Sequence, residues 1–119
     1  STLEHAAVLT TCRYLEAQGW QVTYLEPNNK GEITPEAVRA ALTPDTFLVA
    51  LMLVNNETGV VTDILAVSEL VHDAGAVLFC DAVQALGVMD VDVRVLGADM
   101  VALSAHKVYG PKGVGALWV

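Results

Sequence analysis

The sequence has few basic residues, few cysteines and no long apolar run. It carries 6 Lys and Arg against 14 Asp and Glu, which gives a formal net charge of −8. Nucleic-acid binding is disfavoured, because the chain lacks the basic surface that counterion release from a phosphate backbone requires. No apolar stretch approaches the ~20 residues of a membrane-spanning helix, so a membrane protein is not expected.

The two cysteines, Cys12 and Cys80, provide neither a disulfide framework nor the spacing of a zinc site. No secretory or transit segment is recognisable, so we expect a reducing, cytoplasmic location and no metal. Cys12 falls in the apolar stripe of a predicted helix, and Cys80 lies in a predicted buried strand. Each is therefore expected to be a small packed side chain and not a nucleophile.

What the sequence does have is 54% apolar residues arranged in alternating strand and helix patterns. Helix periodicity with start and stop residues predicts helices over residues 4–19, 34–42 and 63–75. Apolar, β-branched stretches predict strands over residues 20–25, 46–54, 76–81, 99–104 and 114–119. The continuous apolar run over residues 46–54 is typical of a central parallel strand that is covered on both faces. The pattern predicts a layered α/β fold with a mostly parallel sheet and helices on both faces.

Polar side chains cluster where the predicted strands stop. Ligands of open α/β sheets bind outside the carboxyl ends of the strands, so we expect these side chains to form a site. They are Asn55 after one strand, Asp81 and Gln84 after the next, and Ser104, His106 and Lys107 after the third.

Asp81 and Lys107 suggest the chemistry of that site. A carboxylate at a buried strand end needs a cation opposite it, and a protonated pyridine nitrogen would serve. An amine on the neighbouring strand end could form a Schiff base with an aldehyde on the same ring. Pyridoxal phosphate (PLP) needs this pair of groups.

The other polar residues fit the same cofactor. Gln84 could donate to the phenolic oxygen of the ring, and Ser104 and His106 are natural phosphate donors. An imidazole such as His5 could cover the ring face.

Simpler roles stay open for several of these residues. Lys107 could be an exposed turn lysine, as Lys112 is expected to be, and Asp81 could cap the following turn. Ser104 and Asn55 could be turn residues. His72 is expected to sit at a helix end, where an imidazolium suits the helix dipole.

Four stretches of the sequence resemble a known family. They are "EHAAVLTTCRYLEAQGWQVTYL", "MLVNNETGVVTDI", "DAVQALGVMDVDV" and "SAHKVYGPKGVGALWV". They look like the NifS/IscS-type cysteine desulfurases, which are PLP enzymes of the class V aminotransferase type. The resemblance covers all 119 residues in order.

The resemblance implies a role for each candidate residue. Lys107 matches the lysine that carries PLP, and His5 matches a histidine that stacks on the ring and takes part in proton transfers. The implied cofactor contacts are Asp81 to the ring nitrogen, Gln84 to the phenolic oxygen, Asn55 beside the cofactor, and Ser104 and His106 to the phosphate.

The resemblance also implies a reaction and partners. L-cysteine is converted to L-alanine, and its sulfur passes to an enzyme cysteine as a persulfide. The acceptor is a protein such as an iron-sulfur scaffold, and the parent enzyme is a homodimer. The alternatives are a selenocysteine lyase, a small-amino-acid aminotransferase, or a non-catalytic fragment that associates with another chain.

The sequence departs from the family in its extent. Residues 1–119 match part of the PLP-binding large domain, while the N-terminal segment and the small C-terminal domain have no counterpart. Neither Cys12 nor Cys80 matches the cysteine that receives sulfur in this family. We therefore expect these 119 residues alone not to turn over cysteine.

Overall fold

Between residues 35 and 104, helices and strands alternate along the computed structural model, which describes all residues from Ser1 to Val119. The elements are α1 (Ala6–Ala17), α2 (Pro35–Ala41), β1 (Leu48–Met52), α3 (Ile64–Asp73), β2 (Val77–Asp81), α4 (Val93–Leu96), β3 (Met100–Ser104) and β4 (Gly115–Trp118). The four strands form one sheet in the order β1-β2-β3-β4. The first three are parallel and β4 is antiparallel to β3, so the predicted α/β fold with a mostly parallel sheet is confirmed.

Capping residues and glycines close in sequence determine where the helices begin and end. Thr34 and Asp63 cap α2 and α3, because their side-chain oxygens accept hydrogen bonds from backbone N–H groups three residues later. Gly19 and Gly75 follow α1 and α3 with φ of 93° and 75°, a backbone conformation that favours glycine. These boundaries agree with the sequence prediction. None of the helices combines the length and apolar character needed to cross a membrane.

The core lies between α3 and the sheet. Val67 and Val71 of α3 are completely buried, as are Leu78 of β2 and Val101 of β3. Fifteen buried residues form one apolar cluster, which includes Cys80. The core therefore sits directly behind the middle of the sheet and fixes the ends of β2 and β3.

A polar contact ties the end of α3 to the sheet. Nε2 of His72 lies 2.9 Å from Oδ2 of Asp99, and the same oxygen accepts the Leu78 N–H at 2.7 Å. The Leu78 N–H, and secondly His72, lower the pKa of the Asp99 carboxyl. His72 thus lies in the last turn of α3, as predicted, and has a specific partner besides the helix dipole.

Residues 20–25 do not form the predicted strand. Their backbone hydrogen bonds are limited to the Trp20 N–H, which donates to Leu15, and the Leu25 carbonyl, which accepts from Thr2. A strand requires a neighbour to pair with, and no strand lies alongside this segment.

β1 is likewise not the central strand that its apolar sequence predicted. It pairs with β2 on one side and is open on the other, so it forms an edge of the sheet. A groove of about 450 Å³ is lined by β1, by residues 20–25 and by α1. No residue of α1 is buried, because its apolar stripe, including Cys12, faces this groove.

Candidate active site

The carboxyl ends of β1, β2 and β3 meet at one edge of the sheet. Met52 is paired with Asp81, and Asp81 is paired with Ala102. Hydrogen bonds continue past the strand ends, from Leu53 N–H to the Asp81 carbonyl and from Ala82 N–H to the Ala102 carbonyl. The polar residues that follow these strands therefore emerge together, as the parallel arrangement predicts.

Asp81 is a buried carboxylate without a cation. Its exposed fraction is 8%, and Oδ1 accepts one hydrogen bond, from the Val83 N–H at 3.0 Å. None of the ion pairs in the chain involves Asp81. Because a buried charge is costly unless it is paired, this position fits a cationic ligand group such as a protonated ring nitrogen.

Gln84 also has an unused polar atom at this edge. Its Oε1 is buried and has no hydrogen-bond partner. No hydrogen bond fixes which end of the amide carries the oxygen, so either end can face a ligand. A ligand that hydrogen-bonds to the Gln84 amide and pairs with the Asp81 carboxylate would satisfy both groups.

Ser104 and His106 are bonded to each other. Ser104 Oγ lies 2.5 Å from His106 Nδ1, and the direction of donation depends on the histidine tautomer. If Nδ1 donates, the serine hydroxyl keeps its proton for an anionic ligand. In that tautomer the pair offers a hydroxyl donor to an anionic group.

Lys107 ends a 3-10 helix, Ala105–Lys107, directly after β3. It is exposed and takes part in no ion pair, so its amine is free. The turn that follows is closed by a hydrogen bond from the Gly110 N–H to the Ala105 carbonyl, at 2.9 Å. A Cβ atom at Gly110 would lie 2.8 Å from the Ala105 Cβ, so this close approach needs glycine.

Asn55 has most of its hydrogen-bonding capacity taken up by the protein. Its Oδ1 accepts the backbone N–H groups of Glu57 and Thr58 and the Thr58 hydroxyl, at 2.9–3.1 Å. Its Nδ2 donates to the Leu3 carbonyl at 3.0 Å. One amide hydrogen is left for a ligand.

The bond between Asn55 and Leu3 brings the start of the chain to the end of β1. His5 lies two residues after Leu3 and precedes α1. Its ring is exposed, and Nδ1 accepts a hydrogen bond from the Ala7 N–H at 3.2 Å. His5 is thus held at the same edge of the sheet through the backbone of residues 3–5.

Glu4 is a buried acid that the sequence prediction missed. Its Oε1 accepts from the Ser1 hydroxyl at 2.6 Å, while its Oε2 is buried without a partner. A small cavity of about 10 Å³ beside Glu4 also touches Asn55. A glutamate just before a helix ordinarily faces solvent, so the sequence alone contains no signal for its burial.

Cys80 is not suited to nucleophilic chemistry. Burial, followed by the charges of Asp81 and Glu4, raises the pKa of the Cys80 thiol to about 12. Cys12 is half-buried on α1. The packing role predicted for Cys80 is confirmed, because a thiol with so high a pKa is not ionised near neutral pH.

The chain matches one protein family over its full length. The family described as Aminotransferase class-V matches residues 1–119. The chain is 54% identical over 120 residues to cysteine desulfurase IscS of Acinetobacter baumannii (strain AYE). It is 53% identical over 119 residues to cysteine desulfurase IscS of Pseudomonas aeruginosa (strain UCBPP-PA14). Each match covers all of this chain, which spans about 30% of the length of each relative.

Solved structures share the fold. The structure described as SspA in complex with cysteine superposes with a TM-score of 0.96 at 44% identity, over 100% of this chain and 34% of that one. The cysteine desulfurase CsdA from Escherichia coli gives a TM-score of 0.92 at 32% identity, over 98% of this chain and 29% of that one.

Proposed function

Because the chain belongs to the class-V aminotransferase family, we propose that it forms part of the PLP-binding large domain of a cysteine desulfurase. The parent enzyme takes sulfur from L-cysteine, leaving L-alanine, and supplies it for iron-sulfur cluster or thio-cofactor assembly. The observation that carries the proposal is the unpaired, buried Asp81 at a strand end adjacent to the strand that leads to Lys107.

The residues at the strand ends would hold PLP by complementary charge. Asp81 would face the ring nitrogen and keep it protonated, and Gln84 and Asn55 would donate to ring oxygen. Ser104 and His106 would donate to the phosphate, and the Lys107 amine would attach covalently to the aldehyde. When bound, PLP supplies an electron sink for the electrons released at the substrate α-carbon.

The side chains of the protein would then accept the substrate proton and orient the cofactor ring. The Lys107 amine, once free of the cofactor, can take the α-proton of the substrate at Nζ. The buried carboxylate of Asp81 would face its cationic partner and orient the ring. His5 presents its ring at the same edge, on the first residue before α1.

Sulfur transfer needs a reactive thiol, and neither cysteine of these 119 residues matches the position that receives sulfur in this family. Cys80 is buried and its pKa is raised to about 12. We therefore propose that the persulfide forms on a cysteine elsewhere in the parent enzyme, a homodimer in the cytoplasm that passes sulfur to an acceptor protein. Residues 1–119 by themselves are expected to bind PLP without releasing alanine.

Absorbance spectroscopy tests the cofactor proposal. The 119-residue chain mixed with PLP should develop the near-visible band of covalently bound cofactor, and borohydride should remove that band. Lys107→Ala should abolish it, and Lys112→Ala, a matched change in the same loop, should leave it in place. A band that survives Lys107→Ala would overturn the proposal.

A further inference from the structure

The segment that follows β2 packs closely against the loop that carries Lys107. A Cβ atom at Gly87 would lie 2.6 Å from Cγ1 of Val108 and 3.7 Å from its Cβ. Gly87 lies three residues after Gln84, and Val108 directly follows Lys107. The contact between Gly87 and Val108 therefore joins the two strand-end segments that form the candidate site.

Val108 is the inward-facing residue of the lysine loop. It is half-buried, whereas its neighbours at positions 106, 107 and 109 are exposed. Its N–H donates to the Ala105 carbonyl at 3.0 Å, and the Gly110 N–H donates to the same oxygen at 2.9 Å. These two hydrogen bonds hold the main chain around Val108 in a tight turn. A displacement of Val108 should therefore move Lys107 with it.

The segment around Gly87 is held more firmly than the lysine loop. Ala82 and Ala85 are completely buried, and their carbonyls each accept two N–H groups from residues 85–89. Gly87 lies within these turns with φ 84°. If the two segments were crowded, the lysine loop would yield first, because it is mostly exposed and less core packing holds it.

We propose that Gly87 is a positioning residue that sets the place of Lys107 through Val108. The absence of a side chain at position 87 lets Val108 pack against the segment after β2, and this packing fixes the lysine loop relative to the end of that strand. Val108 suits the task because a β-branched side chain has restricted χ1 rotation. The benefit to PLP attachment rests on the proposed function, whereas the packing contact and its effect on the lysine backbone do not.

A double-mutant cycle isolates this contact. Gly87→Ala adds a methyl group that meets Cγ1 of Val108 at 2.6 Å. Val108→Ala removes Cγ1, and the remaining Cβ lies at 3.7 Å, an ordinary van der Waals distance. The methyl group at position 87 should therefore displace the loop when Val108 is present. In the Val108→Ala background it should cost only the backbone strain of a positive φ.

Gly75→Ala is the matched control for that strain. Gly75 has a similar φ of 75°, and a Cβ atom there meets nothing within 4 Å. It precedes β2, at the opposite end of that strand from Asp81. The urea unfolding midpoint should fall by a similar amount in Gly75→Ala and when Gly87→Ala is added to Val108→Ala.

Backbone amide NMR of the PLP-free 119-residue chain measures the displacement. In Gly87→Ala the Lys107 amide signal should shift, and in the double variant it should stay close to its position in Val108→Ala. Gly75→Ala should leave it unchanged. An unchanged Lys107 signal in Gly87→Ala would overturn the inference, because Val108 would then have rotated away without moving the lysine. If Gly87→Ala failed to fold, a folded double variant would support the contact, and an unfolded one would overturn it.

An absorbance titration with PLP measures the consequence for the site. Gly87→Ala should weaken PLP binding by at least about tenfold, since a displacement of ~1 Å at a reacting group can cost about a hundredfold. In the Val108→Ala background the same substitution should change the affinity by less than about twofold. A loss of affinity that Val108→Ala does not relieve would overturn the positioning role. Lys107→Ala decides the proposed function separately, so the two failures are distinguishable.

Discussion

Asp81 is the residue whose surroundings most restrict what the site can hold. Its carboxylate is buried at the end of β2 with one backbone donor and no cation. Cys80 beneath it is affected by the same charge, since Asp81 contributes to the raised pKa of its thiol. A site arranged in this way favours a cationic ligand group over an anionic one at that position.

Asp81→Asn should separate binding from stability. Asparagine keeps the oxygen that accepts from Val83 and removes the buried charge, so the free energy of unfolding should stay equal or rise by about 1 kcal/mol. PLP affinity should fall by at least roughly tenfold, because one strong charge pair is lost. Urea unfolding and an absorbance titration with PLP measure the two quantities.

The control is Asp45→Asn, a change at an exposed carboxylate. It should alter neither the free energy of unfolding nor the PLP affinity. The proposed role of Asp81 would be wrong if Asp81→Asn bound PLP as tightly as the wild type.

At the scale of elements, the helix ends and the strand ends could be predicted from the sequence. Thr34, Asp63 and Gly75 act through neighbours within a few residues, so a local pattern contains the information. The convergence of polar residues was also predictable, because parallel strands share one carboxyl edge.

Long-range partners could not be predicted in this way. Residues 20–25 have strand-like residues but no neighbour to pair with, and the strand pattern of β1 does not reveal that it lies at an edge. The burial of Glu4 and the contact between His72 and Asp99 depend on distant segments. Which strand ends meet was thus largely predictable, and how the protein holds the side chains there was not.

The contact between α3 and the sheet makes stability depend on pH. The pKa of Asp99 is lowered in the folded state, so its stabilising effect is present above the unfolded value of about 3.9 and is lost as pH falls through the folded value. Wild type should be more stable than Asp99→Asn at pH 6. The difference should shrink below about pH 4, since protonated Asp99 resembles the amide.

Urea unfolding midpoints at a series of pH values measure this difference. Asp90→Asn changes an exposed carboxylate that has no hydrogen bond. Its unfolding midpoint should equal that of the wild type at every pH. A difference between wild type and Asp99→Asn that stays constant with pH would contradict the assignment.

The turn after β3 should tolerate no side chain at Gly110. A Cβ atom there would meet the Ala105 Cβ at 2.8 Å and the Ala105 oxygen at 2.9 Å, so Gly110→Ala should cost about 1–3 kcal/mol of stability. The displaced turn should also weaken formation of the PLP band. Thermal unfolding and the absorbance titration report these effects.

Gly113→Ala serves as the comparison for this loop. A Cβ atom at Gly113 meets nothing within 4 Å, although its φ of 86° is strained for alanine. It should lower stability by about 1 kcal/mol and leave the PLP band intact. Equal losses of the band in both variants would show that crowding at Gly110 is not the cause.

At the scale of the molecule, one side of the sheet is open. β1 has no partner on its outer side, and Phe47 and Leu48 are exposed beside the groove that faces α1. β4 is exposed along its whole length. Open strand edges with apolar side chains pair readily with other chains.

Self-association should therefore depend on the edge of β1. Leu48→Lys places a charge on that edge and should lower the oligomer fraction measured by analytical ultracentrifugation. Leu65→Lys introduces the same charge at an exposed position on α3 and should change that fraction little. An oligomer fraction that neither variant alters would exclude this edge as the contact.

The antiparallel return of β4 determines how Lys107 can move. The loop over residues 105–114 begins and ends on adjacent strands, and the Ala105 N–H bonds to the Val114 carbonyl across its base. The main chain on both sides of the lysine is therefore anchored. If Lys107 binds the cofactor as proposed, its amine would reach the cofactor by rotation about the side-chain bonds of the lysine. The backbone of this loop would then stay in one position while the amine binds and releases its ligand.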